Sequence, residues 1–248
     1  MKMHKELKKI EGIVLKSLDY KENAQIAYFY GHIGRFSLHV RGSKKIGAKS
    51  SAFCETLTLA EVSCTDSEFS SFSGGEILDS YNVIKNDFVK IQVAMCMLDK
   101  VYHLSDSITD HEIGYKFLKD CLNYLKTTNC PKLLLIFFEI KLTYLLGINP
   151  EFKKCIYCGS SSELSFSITE GGCLCHTHQY ETLIDLDKYE LSLLKALYYT
   201  KIAELTDELL KEISDELITK YNQLIDKYYQ KYIEYLPNSK KIYYTLCK

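Results

Sequence analysis

Four side chains in two short pairs, Cys155-x-x-Cys158 and Cys175-x-x-His178, have the types and spacing of a tetrahedral metal site. Thiolate sulfur and imidazole nitrogen suit zinc, and a two-residue gap fits one tight turn. The second pair lies in Gly171-Gly172-Cys173-Leu174-Cys175-His176-Thr177-His178, so Cys173 and His176 are alternative ligands. Cys175 and His178 are preferred because they repeat the gap of the first pair. Four protein ligands leave no open position for water or substrate, which makes the expected zinc structural, one per chain. The bland alternative is a set of ordinary reduced thiols. The six cysteines outside this segment, Cys54, Cys64, Cys96, Cys121, Cys130 and Cys247, follow no repeated spacing, unlike these four. A zinc deaminase places proline before its Cys-x-x-Cys, whereas Lys154 precedes Cys155. Nothing around Cys155 reads as the βαβ unit of a thioredoxin-like redox pair.

A second chemistry lies at the other end of the chain. The first fifty residues hold eleven Lys and Arg against four Asp and Glu, a surplus of seven in a chain of net charge −1. Such asymmetry points to a polyanionic partner. The protein has two arginines, Arg35 and Arg41, and both fall here. The planar guanidinium fork suits phosphate. With Lys44, Lys45 and Lys49 they form a candidate DNA-binding set. Tyr28, Tyr30 and Phe36 are candidates to stack bases, although alternation places Phe36 in the core and leaves the two tyrosines open between core and platform. The bland alternative for the charge run is a solvated face.

The elements that must position these residues change character near residue 84. Before it, the chain reads as strands: Gly12 to Leu18, Gln25 to Tyr30, Gly34 to Arg41, Glu55 to Cys64, and a fifth between Gly75 and Val83. In the third, Phe36, Leu38 and Val40 share one face, and Arg35, Ser37, His39 and Arg41 the other. Gly31-His32-Ile33-Gly34 is a hairpin link, and Gly42 to Ala52 is a long basic loop. Five short strands with one long loop fit an OB-type barrel. From Asn86 the period becomes helical, with Val89, Val93, Met97 and Val101, then Ile113, Phe117, Cys121 and Leu125, recurring every fourth residue. Pro131 and Gly147 bracket a helix, Lys132 to Leu146, apolar almost all round and therefore central. Asp187 and Glu190 form a capping box for a helix to Tyr199. A last long helix is expected from Asp207 and Glu208, with Leu210, Ile213, Leu217, Leu224 and Tyr228 as its apolar stripe. The fold class is thus α+β and multi-domain: an OB barrel over residues 1–83, then an all-α helical domain over 84–248 carrying a zinc-binding segment at 152–180.

The 248 residues suffice for one large or two small cores, and 46% apolar content with 25% charge is that of an ordinary globular protein. The lysines at the start are followed by no apolar run, so no secretory signal is expected. The longest apolar run, Leu133 to Phe138, is too short to cross a bilayer. A cytoplasmic location with reduced thiols and no membrane contact follows. No phosphate loop, carboxylate constellation or Ser/His/Asp ordering suggests an enzyme.

The arrangement resembles the RecO family of bacterial recombination mediators over nearly the whole length. The resemblance rests on Glu11-Gly12-Ile13-Val14-Leu15-Lys16 with Asp19-Tyr20-Lys21-Glu22-Asn23, and on Gly34-Arg35-Phe36 running into Arg41-Gly42-Ser43-Lys44-Lys45. It is sharpest at Leu145-Leu146-Gly147-Ile148-Asn149-Pro150 followed by Cys155-Ile156-Tyr157-Cys158-Gly159. His178 stands where zinc-bearing relatives usually have a cysteine. The resemblance implies an OB fold, a helical domain and a zinc insertion. It also implies non-catalytic binding of single- and double-stranded DNA, strand annealing, and loading of RecA with RecR onto DNA coated by single-strand-binding protein in the bacterial nucleoid. A reading of another class is a zinc-containing nucleic-acid-processing enzyme or its accessory subunit, which metal-dependent turnover would reveal.

Overall fold

The structure is a computed structural model that describes residues 7–65, 70–180, 182–208 and 213–246. Five strands come first: β1 (Leu7–Tyr20), β2 (Ala24–Gly31), β3 (Gly34–Arg41), β4 (Leu59–Thr65) and β5 (Phe72–Asp79). They pair antiparallel in the order β3-β2-β1-β4-β5. β1 is long enough to serve two neighbours. Leu7 to Ile13 pairs with β4, and Gly12 to Tyr20 pairs with β2, with an irregularity between Val14 and Lys16. Such a bulge bends a strand and raises its twist, which lets a sheet curl. The curl closes where His39 bridges Ser71 in parallel, the His39 amide donating to the Ser70 carbonyl at 3.0 Å. The result is the expected five-stranded OB barrel.

Val14, Ala27, Phe29, Leu38, Val40, Ala60 and Val62 fill the barrel, as the alternation of β3 requires. A 3-10 turn at Lys49–Cys54 adds Phe53, whose ring centroid lies 4.6 Å from that of Phe72. Three strands begin several residues from where expected, β1 at Leu7 rather than Gly12. Glu55 to Thr58 is not strand: Leu57 takes a positive φ of 60° and turns the chain into β4. β5 begins earlier, at Phe72, and Val83 belongs to a short helix, α1 (Asn82–Lys85).

Two helices follow, α2 (Phe88–Leu104) and α3 (His111–Thr127). Asp87 caps α2, accepting from the amides of Val89 and Lys90 at 2.9 Å each. The buried face of α3 is Gly114, Tyr115, Leu118, Cys121, Leu122 and Leu125; Cys121 and Leu125 face inward as expected, while Ile113 is exposed and Phe117 only partly buried. Both helices pack on the outside of the barrel. Tyr102 meets Tyr28 edge-on at 5.3 Å, and Glu11 of β1 accepts from Lys119 Nζ at 2.6 Å and from the Tyr115 hydroxyl. The chain accordingly forms two compact units, Met1–Thr127 with Ser239–Lys248, and Thr128–Asn238. The change from strand to helix near residue 80 is not the point at which they divide.

In the second unit, α4 (Pro131–Leu145) is buried on nearly every side and is followed by Gly147 at φ 70°. Its apolar sequence is explained by that burial. A three-stranded sheet of β6 (Glu151–Cys155), β7 (Ser165–Ser167) and β8 (Gly172–Leu174) comes next, in the order β6-β8-β7. α5 (Lys188–Tyr199) has the expected Asp187–Glu190 capping box. The long helix α6 (Asp215–Ile233) starts later than expected, with Ser214 as its cap at the Leu217 amide. Asp207 and Glu208 are helical as expected, but Ile213 and Ser214 are not, so α6 is a separate helix; Asp207 also accepts from Thr128 Oγ1 at 2.6 Å and from the Asn129 amide at 2.9 Å. The stripe on α6 places Leu224 and Tyr228 inward as expected, and Leu210 lies outside the described residues. Tyr229 ties α6 to α4 by donating to the Glu139 carbonyl at 2.8 Å. The terminal α7 (Asn238–Leu246) returns to the first unit, where Ser239 Oγ donates to Asp99 at 2.6 Å.

Candidate metal centre and nucleic-acid interface

Cys155 ends β6 and Cys175 follows β8, and these two strands are parallel neighbours. Each strand therefore delivers the first residue of a pair to the same edge. After Cys155 the chain reverses in a turn closed by the Gly159 amide to the Cys155 carbonyl at 2.9 Å. After Cys175 a 3-10 turn, His176–His178, is closed by the His178 amide to the Cys175 carbonyl, also at 2.9 Å. The two turns bring their ligands together, and the ligand atoms of Cys155, Cys158, Cys175 and His178 all lie within 4.8 Å of one another.

The spacing inside this cluster fits a metal. Cys158 and Cys175 sulfurs are 3.6 Å apart, and His178 Nδ1 is 3.6 Å from Cys155 Sγ and 3.2 Å from Cys175 Sγ. Zinc–sulfur bonds of about 2.3 Å in a tetrahedron give edges of roughly 3.7 Å. Electrostatics agree for two thiols. Burial opposes ionisation of Cys155, but backbone N–H groups at Cys175, Cys158 and Tyr157 outweigh it and hold the thiol below its ordinary range. Burial likewise opposes the Cys175 thiolate, and Cys158 with the amides of Thr177 and His178 outweighs it. Cys158 moves the other way: a backbone bond at Ser160 favours its thiolate, but burial and the neighbouring Cys175 and Cys155 raise it. Three thiols packed together share fewer than three negative charges unless a cation joins them.

The alternative ligands are elsewhere. Cys173 sits inside the small sheet, fully buried, and burial pushes its thiol up to about 12. Period two alone would put Cys173 and Cys175 on one face, but β8 ends at Leu174, and the turn that follows carries Cys175 to the cluster while Cys173 stays in the sheet. His176 pairs with Tyr180 through Nε2 at 3.3 Å. Outside the cluster, Tyr157 lies over His178 at 5.5 Å between ring centroids and donates to Glu170 at 2.5 Å.

The five basic residues do not form one group. Arg35 and Arg41 share the outer face of β3, but six residues separate them, roughly 20 Å along a strand. The Arg35 end is covered by α2. Its guanidinium donates to the Tyr102 carbonyl at 3.0 Å and to Asp106 at 2.8 Å, and stacks 5.2 Å from the Tyr102 ring. The Arg41 end is open. The side chains of Arg41, Lys45 and Lys49 are exposed and make no hydrogen bond or ion pair with another described residue. Lys44 pairs with Asp19 at 2.6 Å. Alongside Arg41, His39 is held below the usual imidazole range by burial and by the charges of Arg41 and Lys21. The smaller, electrostatic part of that depression places Lys21 beside Arg41, a cation that sequence reading had not assigned to this surface. Of the aromatic candidates, Tyr30 is fully buried, Phe36 stacks on Phe29 at 5.2 Å, and Tyr28 is engaged by Tyr102.

Comparison with known proteins decides the lineage. The family described as Recombination protein O N terminal matches residues 3–81, and Recombination protein O C terminal matches residues 86–241. The chain belongs to the RecO family. A protein named DNA repair protein RecO from an Exiguobacterium species is 28% identical over 232 residues, covering 91% of each chain. The protein of that name from Oceanobacillus iheyensis is 29% identical over 246 residues, covering 95% of this chain and 92% of its own. That from Halalkalibacterium halodurans is 26% identical, with 89% of each chain covered. The RecO match thus spans both the barrel and the unit that carries the Cys₃His cluster. No helix among the described residues is long and apolar enough to cross a membrane.

Proposed function

We propose that this RecO-family protein acts in DNA repair and homologous recombination as a non-catalytic mediator that binds single- and double-stranded DNA. Residues 1–83 are its OB-fold DNA-binding domain, and 84–248 its helical domain with the zinc segment at 152–180. The observation that carries the reading is the cationic end of the barrel, where Arg41, Lys45 and Lys49 have no internal counter-ion among the described residues. Unpaired cations on a projecting loop release counter-ions from a phosphate backbone and let two strands approach, which is what annealing requires. Lys44 joins them from the same loop, sharing its charge with Asp19. Arg35 holds β3 to α2 and shapes the surface rather than neutralising it. The family relationship supports the finer reading: RecA loading with RecR on DNA coated by single-strand-binding protein, in the cytoplasm at the nucleoid.

Cys155, Cys158, Cys175 and His178 hold one zinc. When bound, the metal joins the two turns and orders the segment from β6 to the 3-10 turn; all four positions belong to protein, so it has no place for a substrate. The test is anisotropy titration of labelled single- and double-stranded oligonucleotides from about 50 to 300 mM salt, beside elemental analysis of the same preparation. Salt-dependent binding of both, with zinc near one per chain, is expected. Binding indifferent to salt refutes the interface, and turnover of DNA or ATP that disappears with Cys155→Ser replaces the mediator with a zinc enzyme.

A further inference from the structure

The basic loop carries one residue that phosphate binding does not explain. Ile46 stands in Gly42-Ser43-Lys44-Lys45-Ile46-Gly47, and the residue is fully exposed. Isolated exposed apolar residues are common, so exposure alone says little. Here the backbone presents the side chain. Gly42 and Gly47 flank the segment at φ 70° and 74°, left-handed values that favour glycine. The Lys45 amide bonds the Gly42 carbonyl at 3.1 Å, and the Ala48 amide bonds the Lys45 carbonyl at 3.0 Å. At the root, Ser43 is buried. The root is packed, the turn is hydrogen-bonded, and a β-branched side chain with little rotamer freedom projects between Lys45 and Lys49.

We propose that Ile46 is an apolar wedge that enters between adjacent bases of the DNA strand whose phosphates this loop holds. This rests on the basic loop being the DNA interface. Aliphatic side chains unstack base steps when surrounding cations fix the backbone, and a rigid projecting isoleucine loses little freedom in doing so. The contact is indifferent to sequence and uncharged. It therefore contributes affinity that salt does not remove, and it opens the stack of a strand about to exchange partners.

The experiment uses the full chain and a single-stranded oligonucleotide carrying one 2-aminopurine, whose fluorescence rises when it unstacks. Wild type, Ile46→Ser, Ile46→Phe and Lys45→Ala are titrated at several salt concentrations. Wild type is expected to raise the fluorescence. Ile46→Ser is expected to lose that rise and to bind about tenfold more weakly, some 1.4 kcal/mol, at every salt concentration with an unchanged log–log slope. Ile46→Phe is expected to keep the rise. Lys45→Ala is expected to lower the slope by roughly 0.7 while the rise at saturation persists. Wild-type binding with a normal slope but equal fluorescence and affinity in Ile46→Ser overturns the wedge and leaves the interface standing. Wild type that binds without salt dependence overturns both. Melting temperature controls for folding, and an exposed side chain should leave it unchanged.

Discussion

Replacing Arg41, Lys45 and Lys49 together by alanine removes three exposed cations that have no internal counter-ion among the described residues. Each phosphate contact contributes roughly 0.7 to 0.9 to the slope of log affinity against log salt, so three should remove about 2.1 to 2.7. Taken at 0.1 M salt with 1 M as the reference at which screening has removed the difference, the same number is the loss in log units, about 100- to 500-fold. The matched control is Arg35→Ala. It removes the same kind of charge from the same strand face, but that guanidinium already serves Tyr102 and Asp106. Its slope should change by less than about 0.5, against roughly 0.9 for a full duplex contact, while stability falls by about 1–2 kcal/mol because the link from β3 to α2 is lost. The assay is fluorescence anisotropy over a salt series, with thermal melting of every variant. A folded triple variant with the wild-type slope, or an Arg35→Ala variant whose slope falls as far as that of Arg41→Ala, refutes the division of β3 into a covered end and an open end.

Three other outcomes follow from the geometry. Cys158→Ser or His178→Ala should lower bound zinc from about one per chain to below about 0.2 while DNA affinity persists; Cys173→Ser should retain the metal, and its loss there would show that the ligand set has been misassigned. Glu11→Gln tests a pH linkage: burial opposes the Glu11 carboxylate, but Lys119 and Tyr115 prevail and hold it below the usual range. A depressed carboxyl stabilises above its unfolded value and loses that contribution as pH falls through the folded one, so the variant should melt lower by about 1 kcal/mol at pH 7. That deficit should vanish in acid, and one that persists unchanged there contradicts the linkage. Phe53→Ala should destabilise the barrel by about 3–5 kcal/mol in denaturant titration, since its ring closes the interior against Phe72; a loss under about 1 kcal/mol would mean that the 3-10 turn merely lies on the barrel.

The barrel and the central helix α4 were legible because each follows a period that sequence states directly. β3 alternates, so Leu38 and Val40 had to face inward; α4 is apolar all round, so it had to be enclosed. The zinc residues were legible as types and gaps, since two tight turns leave few ways to bring four ligands together. What sequence left open there was the choice among Cys173, Cys175, His176 and His178. Tertiary structure decides it: the register sets Cys173 opposite Cys155 and buries it in the small sheet, while the turn after β8 brings Cys175 and His178 within 4.8 Å of the first pair. A helix does begin at Asp207 and Glu208, but it does not run on into α6: Ile213 and Ser214 are not helical, and Ser214 starts α6 with a cap of its own, a break that the apolar spacing does not state. The basic surface shows the same limit. Period two puts Arg35 and Arg41 on one face, but it does not say what lies over that face. Only the packing of α2 against the barrel gives one arginine a protein partner and leaves the other to solvent, because coverage depends on residues far away in sequence. Sequence by itself determined the strand and helix periods, the charge surplus and the metal-ligand types. Tertiary structure decided which of those charges and ligands remain available.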